Sequence, residues 1–131
     1  MSVGADRREY PRIKHAVPVR YKFMSASLPD VDFDRVCDGM TQNLSLGGLQ
    51  LVGVIPNMDW TKHLLTGRVT VGINLYLPGT TVPVKFQTRC FWIEAPDDGS
   101  INMRMGLRIH EIALDQRRIL SEFLTRATTT R

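Results

Sequence analysis

The alternation of apolar and polar residues in six separate segments is the feature that most restricts the fold of this chain. A period of two is typical of a strand that buries one face and exposes the other. The segments span residues 17–23, 35–43, 48–54, 68–77, 81–94 and 101–110. From residue 113 to 126 the apolar residues recur at a helical period, with Asp115 near the start. The pattern predicts an all-β protein of six strands followed by one C-terminal helix.

Composition limits the class of protein and the class of partner. The 131 residues, 43% of them hydrophobic, suit one domain with one core, spanning residues 1–131. The formal net charge of +4 favours an anionic partner, and the arginine-rich sequence favours planar, bidentate recognition of it. Cys37 and Cys90 form no C-x-x-C motif, which leaves a disulfide open but makes a reducing cytoplasm the default location. The charged N-terminus is unlike a signal peptide, and no apolar run approaches the roughly 20 residues of a membrane helix.

Arginines are concentrated near the N-terminus, at Arg7, Arg8 and Arg12. Each guanidinium presents a rigid fork of donors that matches a phosphate, or the O6/N7 edge of guanine, through two hydrogen bonds. Pro11 disfavours a helix here because it biases Tyr10 towards extended geometry. We interpret residues 1–12 as a flexible, arginine-bearing strap that can close around a small anion. The alternative for such a run is an ordinary solvated tail.

A second motif, Asn43-x-Ser45-x-x-Gly48, follows the second predicted strand. Alone it would be an ordinary turn between strands, since Asn, Ser and Gly are common turn residues. Together with Arg8-x-x-x-Arg12 it resembles the two-part signature of the PilZ domain family, and the resemblance covers nearly the whole chain. That resemblance implies a six-stranded antiparallel β-barrel with a C-terminal helix. It also implies a bacterial receptor for cyclic di-GMP, a ring of two guanosines closed by two phosphodiesters.

The resemblance implies ligand-binding roles for Arg7, Arg8, Arg12, Asn43, Ser45 and Gly48. Asn43 can accept hydrogen bonds from guanine N1–H and N2–H, although many family members carry aspartate there. Ser45 offers its hydroxyl to a phosphate or to the backbone of the turn. Gly47 and Gly48 permit positive φ and close backbone approach. An arginine at the place of Arg7 further implies two stacked ligand molecules per chain.

Trp92 is a further candidate ligand-binding residue. Alternation predicts that it faces away from Phe91 and Ile93, where it could stack on a base, although ordinary packing is an equal alternative. Arg104 and Arg108 fall on the polar face of the last strand, where we expect a role in surface solubility.

Alternation alone does not explain two positions within the strand pattern and one stretch between strands. Asp38-Gly39 could form a hairpin turn, but we favour a continuous strand with Gly39 at a bend or bulge, since six short strands must curve to close a barrel. Pro18 places the first strand at an edge or marks its beginning. Residues 55–67 predict a loop with a short helical turn.

Catalytic chemistry finds no support in the sequence. His15, His63 and His110 lack metal-ligand spacing to either cysteine, and no nucleophile elbow or phosphate-binding loop is present. We therefore expect a sensor module, with no enzymatic activity and no cofactor, that binds cyclic di-GMP and transmits its level to an unidentified protein partner by ordering the strap. The alternatives are a PilZ-like protein-interaction module that binds no nucleotide, or a small basic barrel that binds RNA or single-stranded DNA. RNA or single-stranded DNA is the less favoured partner, because the aromatic residues are not interleaved with basic residues along one strand face.

Overall fold

Six strands and a C-terminal helix form the protein in its computed structural model, which describes residues 16–28, 33, 35–96 and 99–129. The strands are β1 (Pro18–Met24), β2 (Cys37–Leu44), β3 (Gly48–Gly53), β4 (Thr70–Leu75), β5 (Val84–Glu94) and β6 (Met103–Glu111). A 3-10 turn (Met58–Trp60) leads into the short helix α1 (Thr61–Leu65), and helix α2 (Leu114–Thr129) follows the last strand. Every predicted segment overlaps one of these strands to within a residue at its C-terminal end or contains it, and the predicted short helical turn is confirmed.

The strands close into a barrel in the order β1-β2-β3-β6-β5-β4, with β4 pairing back to β1, and all six pairs are antiparallel. Closure leaves no exposed edge, which removes the hazard of unpaired backbone groups. Pro18 is the first residue of β1, as predicted for a strand beginning. The sequence-based prediction of a six-stranded antiparallel barrel with a C-terminal helix is confirmed.

Tyr21 fills the interior between two glycines. Its hydroxyl donates a hydrogen bond to the Val54 carbonyl at 2.7 Å, and burial raises the pKa of the phenol. A Cβ on Gly53 would collide with this hydroxyl, and a Cβ on Gly39 would lie 3.0 Å from the Tyr21 ring. β2 continues through Gly39 as predicted, but its bulge lies between Thr41 and Asn43 rather than at Gly39. Gly39 is therefore explained first by the Val52 carbonyl oxygen, 2.6 Å from the position of a Cβ there, and then by the tyrosine ring.

One group of the core is aromatic. Trp60, at the end of the 3-10 turn, lies 5.3 Å from the Phe23 ring and stacks on Phe33 at 4.7 Å between centroids. The turn begins at Asn57, whose Oδ1 accepts a hydrogen bond from the Asp59 amide at 2.9 Å. Leu64 of α1 is fully buried beside this cluster in the core. The segment between β3 and β4 is thus held by burial of its aromatic and aliphatic side chains.

Helix α2 packs on the barrel through Leu120, Phe123 and Leu124, all of which are buried. The Gln116 side chain accepts a hydrogen bond from the Lys85 amide at 2.8 Å, which ties the first turn of α2 to β5. Two apolar residues of the helical pattern are not covered by the barrel, since Leu114 is 75% exposed and Ile119 is 39% exposed. Helical periodicity identifies a face, but only contact with the barrel determines how much of it is covered.

Candidate functional site

Four outward-facing residues form one row across neighbouring strands. Asn43 of β2 pairs with Gln50 of β3, Gln50 pairs with Gly106 of β6, and Gly106 pairs with Trp92 of β5. Strands are spaced by ~4.8 Å, so the row extends about 14 Å across the barrel wall. The next row along the strands points inward and consists of Leu44, Leu49, Leu107 and Cys90, all buried. The structure thus places two of the predicted site residues, Asn43 and Trp92, on one continuous surface.

A bulge brings Asn43 to this surface. Thr41 is 2% exposed and pairs with the inward-facing Leu51, so simple alternation would point Asn43 inward as well. The irregularity between Thr41 and Asn43 inserts one extra residue, so the residues after it face the opposite side of the sheet from the one that alternation predicts. Asn43 is consequently half-buried on the outer side, and Leu44 enters the core.

The Ser45 side chain holds the turn that follows Asn43. Its hydroxyl oxygen accepts hydrogen bonds from the amides of Gly47 at 3.1 Å and Gly48 at 3.2 Å, and the hydroxyl lies 3.3 Å from the Gly48 carbonyl as a donor. The Ser45 amide also donates to the Gly48 carbonyl at 2.9 Å. The sequence left two partners open for this hydroxyl, a phosphate or the backbone of the turn. In the structure the hydroxyl bonds to the backbone of the turn. Ser45 is 8% exposed, which suits a residue that positions the turn.

Gly47 and Gly48 connect this turn to β6. The Gly47 carbonyl accepts a hydrogen bond from the Ile109 amide at 2.9 Å, and Gly48 pairs with Arg108. A Cβ on Gly48 would collide with the Leu107 carbonyl. The described glycines with positive φ are Gly67, Gly79 and Gly99, so of the two properties that Gly47 and Gly48 permit, positive φ is not used here. Close backbone approach is what requires glycine at position 48.

Trp92 lies against the outer surface of the barrel. A Cβ on Gly106 would collide with the indole at Nε1, Cε2 and Cδ1, so the ring occupies the space that a side chain there would need. Trp92 is 38% exposed, which leaves part of the indole open to solvent. A partly exposed aromatic ring held against a strand is a suitable stacking surface for a base.

A second bulge, between Cys90 and Trp92, alters the predicted facing of Phe91. Phe91 does not face inward but is 53% exposed, because the bulge places both Phe91 and Trp92 on the outer surface. The Cys90 thiol donates to the Trp92 carbonyl at 3.3 Å across this bulge. Burial raises the pKa of Cys90 to about 11. The thiol therefore keeps its proton at neutral pH and can donate it to the Trp92 carbonyl across the bulge.

Sequence reasoning did not distinguish Arg108 from Arg104. Its guanidinium carbon lies 4.0 Å from the centroid of the Phe91 ring, whereas Arg104 forms an ion pair with Glu94. Both arginines are on the polar face of β6 as predicted, but their surroundings differ. Gly106 lies in the middle of β6, and the sequence could have indicated its importance, since a glycine within a strand often marks the close approach of another group.

Val17, next to the first described residue, is bonded to the strand that carries Asn43. Its amide donates to Thr41 Oγ1 at 3.0 Å, and its carbonyl accepts from the Thr41 amide at 3.0 Å. Val17 is fully buried, so the start of the described chain is anchored on β2. The predicted site residues Arg7, Arg8 and Arg12 lie outside the described residues.

Within the described ranges, no group of three or more His, Cys, Asp or Glu residues could hold a metal ion. Cys37 and Cys90 are free thiols. Among the helices of the described residues, none is both long and apolar enough to cross a membrane.

Comparisons with known proteins agree with the fold. No curated protein matches the chain significantly. The chain resembles the Bacillus subtilis inhibitor of motility MotI/DgrA, with 18% identity and a TM-score of 0.64 over 95% of this chain and 53% of that one. It thus spans about half the length of that protein.

Two solved PilZ domains match over nearly their whole length. The PilZ domain of YcgR from Escherichia coli, solved with c-di-GMP, shares 16% identity at a TM-score of 0.58, covering 95% of this chain and 98% of that one. The PilZ domain of CeSA from a cellulose-synthesizing bacterium shares 21% identity at a TM-score of 0.56, covering 88% and 95%. At these identities the neighbours establish the fold. The PilZ domain family model matches residues 6–126, and the chain therefore belongs to the PilZ domain family.

Proposed function

We propose that this chain is a cyclic di-GMP receptor that binds its ligand on the outer surface of β2, β3, β6 and β5. The observation that carries the proposal is the row from Asn43 to Trp92, which joins a hydrogen-bonding amide to a stacking surface. A guanine has both an edge that suits Asn43 and a face that suits Trp92.

The arginines of residues 1–12 complete the proposed site. Val17 is bonded to Thr41, two residues before Asn43. Arg12 and Arg8 precede Val17 in the sequence by only five and nine residues, a length of chain that would allow their guanidinium forks to reach the row. In this proposal they bind phosphodiester oxygens or the O6/N7 edge of guanine.

The remaining motif residues have supporting roles in this proposal. Ser45 holds the turn through its bonds to Gly47 and Gly48, and so positions Asn43 at the end of β2. Gly48 allows β3 to approach the Leu107 carbonyl closely, which sets the register of β3 against β6. The site contains donors, acceptors and a stacking ring, which suits recognition, and the function proposed is sensing without catalysis.

Signalling in this proposal depends on the N-terminal segment. Ligand contacts would offset the entropy of ordering residues 1–12, and the ordered segment would present a new surface to a protein partner. A receptor for an internal bacterial messenger would act in the cytoplasm. The solved complex of the YcgR PilZ domain with c-di-GMP, on the same fold, supports this choice of ligand.

Calorimetric titration of the whole chain tests the proposal. Cyclic di-GMP and a short single-stranded oligonucleotide of mixed sequence are titrated separately at the same salt concentration. Saturable heat with cyclic di-GMP and none with the oligonucleotide is the expected result. Binding of the oligonucleotide alone would identify a nucleic-acid-binding barrel, and binding of neither would favour a protein-interaction module.

A further inference from the structure

Arg108 is held in an orientation suited to a ligand. Its guanidinium carbon is 4.0 Å above the centroid of Phe91, within the range of a cation–π contact. Stacking on the ring uses one face of the guanidinium and leaves the in-plane N–H groups available as donors. Contact with the exposed Phe91 restricts the rotamers of Arg108, which reduces the rotamer entropy that binding would cost.

The charge of Arg108 is not balanced by a carboxylate among the residues that the structure describes. Arg108 pairs in register with Arg89 across β5 and β6, but the Arg89 guanidinium lies against Gly67. Arg104, two residues before Gly106 on the same strand, forms an ion pair with Glu94. The Arg108 guanidinium therefore keeps a positive charge that an anionic ligand could balance.

Arg108 also borders the proposed binding surface. It pairs with Gly48 of the turn motif and lies two residues after Gly106, so it projects from the same outer face as the row. Resting on the proposed function, we propose that Arg108, stacked on Phe91, is a further cyclic di-GMP-binding residue. Its fork would contact a pair of acceptors on the ligand, either two phosphodiester oxygens or O6 and N7 of a guanine.

Arg89 provides a matched control for this proposal. Its substitution removes the same charge from the neighbouring position on the same face of the barrel. Its guanidinium, however, lies against Gly67, where a Cβ would collide with it, rather than over Phe91. A general electrostatic effect would appear in both variants, whereas a direct contact would appear only in Arg108→Gln.

The test is calorimetric titration of cyclic di-GMP into the wild type, Arg108→Gln and Arg89→Gln, with thermal unfolding used to verify that each is folded. A bidentate contact predicts a Kd at least about fivefold weaker for Arg108→Gln, and we expect Arg89→Gln to stay within about twofold. Repeating the titrations at several salt concentrations distinguishes the ligand groups. A smaller salt dependence in Arg108→Gln than in the wild type identifies a phosphodiester contact, and an unchanged salt dependence identifies a guanine contact.

The outcomes separate this inference from the function on which it rests. Equal affinity of the wild type and Arg108→Gln, or an equal loss in Arg89→Gln, would overturn the role of Arg108 and leave the receptor function intact. A wild type that does not bind cyclic di-GMP would overturn both.

Discussion

The indole of Trp92 occupies the space that a side chain on Gly106 would need. The two residues pair across β5 and β6, directly after the bulge that separates Cys90 from Trp92. The glycine therefore allows a large aromatic ring to lie against the strand. This arrangement gives the proposed site its stacking surface.

Gly106→Ala should destabilise the protein by about 1–3 kcal/mol, because the new methyl group forces the indole out of its position. In a Trp92→Ala background the same change should cost less than about 0.5 kcal/mol, since the space is then open. Urea denaturation of the wild type, both single variants and the double variant measures this coupling. An equal cost of Gly106→Ala in both backgrounds would show that the indole is not the group it displaces.

Arg8→Ala and Arg12→Ala should each abolish measurable cyclic di-GMP binding and leave the fold unchanged. A charge-assisted bidentate contact is worth roughly twice a neutral hydrogen bond. Calorimetry measures the binding, and Arg118→Ala, an exposed arginine on α2, is the control for loss of one positive charge. Wild-type affinity in either N-terminal variant would mean that the segment is a tail without a role in recognition.

Cyclic di-GMP should protect the backbone amides of Arg8, Glu9, Tyr10 and Arg12 from hydrogen exchange. These residues include few apolar side chains, so contacts with the ligand must offset their ordering entropy. Binding should also stabilise the domain by about 2.7 kcal/mol at a hundredfold excess of free ligand over Kd. Equal protection of these amides with and without ligand would refute signalling by ordering of the segment.

The chain should bind two molecules of cyclic di-GMP. Each ligand carries two phosphodiester charges, and Arg7 adds a third guanidinium to those of Arg8 and Arg12 to balance a stacked pair. Substitution of Arg7 by leucine should shift the ratio towards one, and affinity should fall as salt rises. Calorimetry at saturating ligand measures the ratio. A value of one in the wild type, unchanged in Arg7→Leu, would contradict the prediction.

Alkaline pH should destabilise the barrel through Cys90. Burial raises the pKa of this thiol from 9.0 to about 11. Above the unfolded pKa the unfolded state loses this proton first, so the stabilisation is complete below pH 9 and is lost as the pH rises through about 11. Urea denaturation between pH 8 and about 10.5 should show a shallower decline in stability for Cys90→Ala than for the wild type. Burial also raises the pKa of the half-buried Cys37 thiol, so Cys37→Ala is the comparison variant and should flatten the curve less than Cys90→Ala. Parallel curves for Cys90→Ala and the wild type would contradict the assignment.

The sequence by itself determined the elements of this fold. Strand periodicity located all six strands, because burial of alternate residues is encoded locally. The continuity of β2 through Gly39 and the short helical turn before β4 were also readable from local patterns. Two short motifs were sufficient to identify the family, which the family model over residues 6–126 confirms.

The facing of the candidate site residues was decided by the tertiary structure. The bulges between Thr41 and Asn43 and between Cys90 and Trp92 change which side of the sheet the following residues face. Each bulge arises from pairing with a strand elsewhere in the chain. For the same reason the sequence could not distinguish Arg108, stacked on Phe91, from Arg104, which is paired with Glu94. Local periodicity records which residues prefer burial, but register between distant strands determines which side chains meet on the surface.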